Sequence, residues 1–122
     1  MKDLTDRDTF NAATSQEVFD FVAHHLLTQN EKSARGNVCG YKSQGTLKCA
    51  AGCLISDDNY DKSFEGDTWD IVSKKLGMVN QWSLVRDLQM LHDNTIVRKW
   101  KHELINFANF RGLSTVVMEQ FN

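Results

Sequence analysis

The chain has 122 residues, of which 41% are hydrophobic and 25% are charged, and its formal net charge is −2. This length and balance are typical of one soluble globular domain that is large enough to bury a core. The slightly acidic charge argues against general affinity for nucleic acid. The sequence has neither an apolar run of membrane-spanning length nor a signal-peptide pattern, so we expect a cytoplasmic protein without a membrane partner.

Cysteine and proline usage narrow the fold class further. The three cysteines are an odd number, which favours free, reduced thiols over a disulfide framework. Proline is absent, so the connections between elements must rely on glycine and polar residues. The absence of proline agrees with helices that are joined by short turns.

The first helix is predicted after a polar, loosely held lead-in over residues 1–13. Thr14 and Glu17 have the spacing of a capping box, in which each side chain accepts from the backbone N–H of the other residue. The helix should extend to about Asn30. Its apolar face consists of Val18, Phe19, Phe21, Val22 and Leu26.

Two polar side chains, His25 and Gln29, fall on the same face of this helix. Buried polar groups need hydrogen-bond partners. We favour the interpretation that each side chain meets a backbone carbonyl or a water. The alternative is that they line a polar site beneath the helix.

The segment from Cys39 to Tyr60 contains all three cysteines and the small-residue run 50–52. Its glycines predict one short β-hairpin, with strands at 38–41 and 46–47 and a turn at 43–45. A helix is then predicted from about residue 46 to 56. Cys49 and Cys53 would share one face of it, and the small residues would allow another element to approach closely.

Three further helices and a short final one follow in the second half of the chain. Their predicted N-caps are Asp67 or Thr68, Asn80, Asn94 or Thr95, and Ser114. Gly77 and Gly112 are placed to end the first and third of these helices. Trp100 should face inward, and His92 falls within an apolar stripe.

The predicted fold is therefore mainly α (α+β). It is a single compact helical domain over residues 14–122, with five or six helices and one short hairpin. The stretch 57–70 is strongly acidic, and we interpret it as a solvated face, with a basic partner surface as the alternative. Its acidic residues are Asp57, Asp58, Asp61, Glu65, Asp67 and Asp70.

Three local motifs resemble a set of small uncharacterised proteins from bacteria and their phages. The matching segments are 25–29 (HLLTQ), 39–41 (CGY) and 48–55 (KCAAGCLI), followed by Asp57 and Tyr60. Those proteins carry an HLLxQ helix, a C-x-Y hairpin and a KCAxGCLIPD segment, and Ser56 stands where they have proline. The resemblance covers about residues 15–65, more weakly 88–93, and it implies a phage origin but no mechanism.

The candidate site residues are Cys49, Cys53, His25 and His92, which would meet if the cysteine-bearing helix packs against the two histidine-bearing helices. We predict no cofactor, and the alternative is that these four ligands form a structural zinc site. A cysteine thiolate with a histidine base, oriented by Gln29 or an aspartate, is the catalytic alternative. We favour a third interpretation, in which both cysteines are simply buried in a close helix contact.

No established catalytic signature is present in the sequence, neither a nucleophile elbow nor a phosphate loop, a zinc-protease helix or a dinucleotide fingerprint. We therefore expect a small interaction protein that binds a cellular or host protein. The alternative function is a cysteine- and histidine-based enzyme, or a protein that binds zinc or another small ligand.

Overall fold

The computed structural model describes residues 1–35 and 38–121. Within those residues the chain forms five α-helices and four strands of two residues each. The helices are α1 (Arg7–Asn11), α2 (Ser15–Gln29), α3 (Trp69–Leu76), α4 (Trp82–Asn94) and α5 (Trp100–Arg111). The strands are β1 (Ala34–Arg35), β2 (Val38–Cys39), β3 (Lys42–Ser43) and β4 (Leu47–Lys48). The predicted mainly α fold is confirmed.

Helix α2 begins at the predicted capping box. The Thr14 hydroxyl accepts from the Glu17 N–H at 3.1 Å, and a Glu17 carboxylate oxygen accepts from the Thr14 N–H at 3.0 Å. These bonds satisfy donors that no preceding helical turn could pair. The buried face of α2 is Val18, Phe19, Val22, Ala23 and Leu26.

The core forms where α2 packs against α4, α5 and the C-terminal 3₁₀ turn Val116–Gln120. The Phe19 ring stacks on the Phe107 ring of α5, with 6.0 Å between centroids. Trp100 is fully buried as predicted, and its indole N–H donates to the Thr95 carbonyl at 3.0 Å. A large aromatic side chain thus enters the core without leaving its polar atom unpaired.

The strands form two antiparallel ribbons in place of the single predicted hairpin. Strand β1 pairs with β2 through Ala34 and Cys39, and β3 pairs with β4 through Ser43 and Leu47. The predicted turn lies in the right place, because Gln44 and Gly45 both have positive φ, 49° and 81°. The predicted strand partners are wrong, since Val38 and Cys39 pair with the preceding segment.

The helix predicted over residues 46–56 is also wrong. Leu47 and Lys48 belong to β4, and the segment then forms only a 3₁₀ turn at Gly52–Leu54. The turn packs closely on another segment: a Cβ atom added at Gly52 would lie 2.0 Å from the Tyr41 carbonyl oxygen. The predicted close approach to the small residues exists, and the approaching element is the chain between β2 and β3.

The lead-in over residues 1–13 is packed against the core, contrary to the expectation that it is loosely held. Leu4 and Phe10 are buried, and α1 lies within this stretch. Asn80 does not cap α4 as predicted. Its side-chain amide donates to the carbonyls of Phe10 and Ala13 at 2.8 and 3.0 Å, which ties the start of α4 to the lead-in.

The predicted start of α5 at Asn94 or Thr95 is wrong, because Thr95 ends α4 and a 3₁₀ turn at Val97–Lys99 precedes α5. Thr68 precedes α3 as predicted, and the glycine-terminated ends also agree with the sequence. Gly77 and Gly112 follow α3 and α5 with φ of 67° and 70°, a conformation that glycine adopts at little cost. Ser114 bonds the Val116 N–H at 3.2 Å at the start of the last turn. Across the described part of the chain, no helix is long and apolar enough to cross a membrane.

Candidate functional site

The end of α4 and strand β2 bring together three side chains that are capable of chemistry. One ligand atom each from Cys39, His92 and Asp93 lies within 4.8 Å of the other two. His92 is fully buried, whereas Cys39 and Asp93 are partly exposed. Cys39 and Asp93 are 54 residues apart in the sequence, so the group exists only because the first ribbon, β1–β2, folds onto α4.

Hydrogen bonds fix the orientation of the His92 ring. The backbone N–H of Ser33 donates to Nε2 of His92 at 3.2 Å, so Nε2 must carry the lone pair. The ring proton therefore lies on Nδ1, and Nδ1 donates to Oδ1 of Asp93 at 2.8 Å. Oδ1 also accepts from the side-chain amide of Gln89 at 2.7 Å.

Asp93 also accepts the thiol proton of Cys39. The pKa of the Cys39 thiol is raised to about 11, mainly because the thiol is buried and secondly because of this hydrogen bond. Burial would raise the pKa of Asp93 too, but the hydrogen bonds from His92, Cys39 and Gln89 outweigh it, so the pKa of Asp93 is lowered. The stable arrangement at neutral pH is a protonated thiol next to a carboxylate.

This order differs from that of a nucleophilic triad. In such a triad the histidine takes the proton of the nucleophile and the acid orients the histidine. Here the carboxylate stands between the thiol and the imidazole, and both ring nitrogens of His92 already have partners. The arrangement holds the first ribbon against α4 and disfavours a Cys39 thiolate.

A cleft of about 320 Å³ opens beside this group. Its walls include Cys39, Tyr41, Trp69, Arg86, Met90 and Asp93. The volume is at the lower end of the range for small-molecule sites. Trp69 is only 3% exposed, and its indole Nε1–H is buried without a hydrogen-bond partner in the described part of the chain.

The two other cysteines are buried and hydrogen-bonded to their own turn. The Cys49 sulfur accepts from the Gly52 N–H at 3.2 Å, and the Cys53 thiol donates to the Ala50 carbonyl at 3.1 Å. Burial raises the pKa of Cys49 to about 12 and the pKa of Cys53 well above its ordinary value. Cys49 also lines the cleft, but neither thiol has thiolate character.

His25 and Gln29 meet the backbone of Lys48, as the favoured sequence interpretation holds. Nε2 of His25 lies 2.8 Å from the Lys48 carbonyl oxygen. Gln29 donates to the same oxygen at 2.9 Å and accepts from the Lys48 N–H at 3.0 Å. Burial lowers the pKa of His25. Both side chains also border a shallow surface depression with Phe21 and His24.

Of the four candidate ligands chosen from the sequence, His92 alone belongs to a three-ligand group within residues 1–35 and 38–121. Among the same described residues, no such group includes Cys49, Cys53 or His25. Cys39 and Asp93 are not among those four candidates. The available signals were the C-x-Y motif at 39–41 and the weaker resemblance at 88–93.

The acidic stretch is largely paired within the chain. Asp57 lies 3.2 Å from the ammonium groups of both Lys42 and Lys48, whose hydrogen bonds lower the pKa of Asp57. Asp67 bonds Lys75 at 3.1 Å. Glu65 accepts from the Tyr41 N–H and the Tyr60 hydroxyl, so it anchors the cleft wall.

Comparisons with known proteins found nothing similar: no protein-family model, no curated protein and no solved structure matches the chain.

Proposed function

We propose that the chain is a small binding protein without catalytic activity, and that it acts by docking a cellular or host protein. The docking face joins the cleft to an exposed row of side chains on α4. This row, the α4 stripe, consists of Trp82, Arg86 and Met90, which are spaced four residues apart and so share one side of the helix.

The α4 stripe is the observation that carries the proposal. Trp82 is 42% exposed and Met90 is 54% exposed, and the Arg86 guanidinium lies 5.0 Å from the centre of the Trp82 ring. Arg86 and Met90 also line the cleft, so the α4 stripe and the cleft are continuous. Tryptophan, arginine and methionine are enriched in protein interfaces, and the first two dominate binding hot spots.

The thiol chemistry supports a binding role over an enzymatic one. A nucleophilic cysteine needs a lowered pKa, and the pKa values of Cys39, Cys49 and Cys53 are all raised. Free thiols also support a cytoplasmic location, where cysteines stay reduced. A phage origin belongs to the same proposal and rests on the motif resemblance of residues 15–65.

The test is site-specific photocrosslinking of the whole chain in bacterial lysates from several hosts. A photoreactive residue at Met90 should crosslink one protein reproducibly, and Trp82→Ala should reduce the yield at least tenfold. The matched control is the same photoreactive residue at Val116, which is 64% exposed in the turn that packs on α2. Equal crosslinking at both positions, or none at Met90 in any lysate, would refute the proposed face.

Zinc binding is the second candidate, because Cys39, His92 and Asp93 supply the sulfur, nitrogen and oxygen ligands that zinc accepts. The tautomer of His92 opposes it as the residues stand. A metal on Nδ1 would move the ring proton to Nε2, where it would face the Ser33 N–H. The residues therefore fit zinc only after this contact breaks.

Cobalt substitution distinguishes the two candidates. If the group binds metal, Co²⁺ should produce a thiolate charge-transfer band that Cys39→Ser removes and Cys49→Ala retains. If native protein binds no stoichiometric Zn²⁺ or Co²⁺, the zinc proposal fails and the docking proposal is unaffected.

A further inference from the structure

Trp69 lines the cleft, and its indole N–H is a buried donor without a hydrogen-bond partner in the described part of the chain. Trp100, which is equally buried, donates to a backbone carbonyl, whereas Nε1 of Trp69 has no acceptor among the described residues. A buried donor that is left unpaired carries a free-energy cost. A group that entered the cleft with an acceptor atom would recover this free energy.

The same cleft contains an acceptor with spare capacity. Asp93 lines it, and its side chain is 35% exposed. A carboxylate has about four lone-pair positions on two oxygens. The bonds from His92 and Gln89 both go to Oδ1, and the Cys39 thiol takes a further position, so the carboxylate keeps one position for a donor that enters from the cleft.

We propose that the cleft binds a peptide amide from an extended segment of the partner protein, an inference that rests on the proposed function. The amide carbonyl accepts from Nε1 of Trp69, and an amide N–H donates to Asp93. Tyr41 and Met90 supply apolar walls for the flanking carbon atoms. A cleft of about 320 Å³ accommodates one amide with its two neighbouring side-chain stems.

Charge explains why an amide fits better than an ion. A carboxylate could pair with the Trp69 N–H, but it would lie beside the negative Asp93. A cation would pair with Asp93 but would leave the indole N–H without an acceptor and would lie near Arg86, which lines the same cleft. An amide carries both a donor and an acceptor without net charge, so it can pair with both the Trp69 indole N–H and the Asp93 carboxylate.

The experiment follows the indole ¹⁵N–¹H resonances of the intact protein during titration with N-acetylglycine methylamide. Trp69, Trp82 and Trp100 give separate signals, which Trp69→Phe and Trp82→Phe assign. We expect the Trp69 proton to shift downfield in a saturable manner and its hydrogen exchange to slow several-fold. The Trp100 signal, whose N–H is already bonded, should stay in place.

Acetate and methylammonium are the matched probes, because each carries only half of the amide's hydrogen-bonding groups. If either shifts Trp69 as far as the amide does, or if no probe moves Trp69 up to its solubility limit, amide recognition is refuted. Hydrogen exchange of the Trp69 indole N–H in the unmodified protein tests amide recognition even if Trp69→Phe fails to fold. Loss of the amide site with retained crosslinking at Met90 would overturn this inference and leave the proposed docking face standing.

Discussion

The Tyr41 carbonyl oxygen occupies the space that any side chain at Gly52 would need. A Cβ built on Gly52 would lie 2.0 Å from that oxygen, far inside the contact distance of a carbon and an oxygen atom. This contact sets the distance between the chain that carries Cys39 and Tyr41 and the turn that carries Cys49 and Cys53. Cys39 and Tyr41 also form one wall of the cleft.

We predict that Gly52→Ala destabilises the fold by about 2–4 kcal/mol, because backbone on both sides must shift to admit one methyl group. Urea unfolding followed by circular dichroism measures the change. Gly112→Ala is the control: no atom lies within 4 Å of its added Cβ, and its positive φ alone should cost about 1 kcal/mol. Equal losses of unfolding free energy for the two substitutions would contradict the close contact between Gly52 and the Tyr41 carbonyl.

The Ser33 hydroxyl links the first ribbon (β1–β2) to the second (β3–β4). Its hydroxyl lies 2.7 Å from the Gly40 carbonyl oxygen, 2.9 Å from the Ser43 hydroxyl and 3.1 Å from the Leu47 carbonyl oxygen. The side chain is fully buried. Ser33→Ala should lower the free energy of unfolding by about 1–3 kcal/mol, because it leaves these groups without that partner.

Ser83→Ala is the matched control for Ser33→Ala, because Ser83 is exposed on α4. We expect its effect to stay within about 0.5 kcal/mol. A loss at Ser33 no larger than the loss at Ser83 would show that the hydroxyl does not link the two ribbons.

His25 should make stability dependent on pH. Burial lowers the pKa of His25 in the folded protein, so the unfolded chain takes up this proton at a higher pH. The free energy of unfolding should therefore fall as the pH decreases through about 6.5, the ordinary value for histidine. The decrease continues until the lowered pKa of the folded state is reached.

His25→Gln removes the titration, and its amide can still donate to the Lys48 carbonyl. Unfolding at several pH values between neutral and mildly acidic should show a flatter profile for this variant than for the unaltered protein. Parallel profiles would mean that His25 is protonated as readily in the folded state as in the unfolded chain.

Thiol labelling reports on the Cys39–Asp93 hydrogen bond. With a pKa of about 11, the Cys39 thiol is almost entirely protonated at neutral pH and should react slowly. Asp93→Asn removes the negative charge that opposes ionisation, so native-state labelling of Cys39 should accelerate by about tenfold, one unit of pKa. Cys49 and Cys53 should label only on unfolding. Mass spectrometry of the labelled peptides measures all three rates.

An unchanged rate for Cys39 in the Asp93→Asn variant would argue against this hydrogen bond. Urea unfolding of the same variant is the control, because faster labelling of all three cysteines would indicate loss of the fold instead. Acceleration confined to Cys39 isolates the effect of the carboxylate.

Local signals in the chain were enough to identify most helices. The Thr14–Glu17 capping box and the glycines after α3 and α5 act on neighbouring backbone groups, so their effects are readable without knowledge of distant contacts. Apolar periodicity likewise identified the buried faces, including that of Trp100. The small size of the residues at 50–52 also predicted that another element would come close.

Contacts between distant segments decided the rest. Asn80 has the residue type of an N-cap, yet its amide bonds the carbonyls of Phe10 and Ala13 across the fold. Cys49 and Cys53 have helical spacing, yet pairing of Leu47 with Ser43 and the Tyr41 contact hold their segment in a short turn.

The contact between Cys39 and Asp93 shows the same division between local signals and distant contacts at the candidate site. The residue types and the buried stripe that contains His92 are visible in the linear chain, because they depend on composition and period. Which thiol reaches which carboxylate depends on how the first ribbon packs on α4, a relation between segments that are more than 50 residues apart. Burial then sets the pKa of that thiol, and burial arises only when the elements assemble.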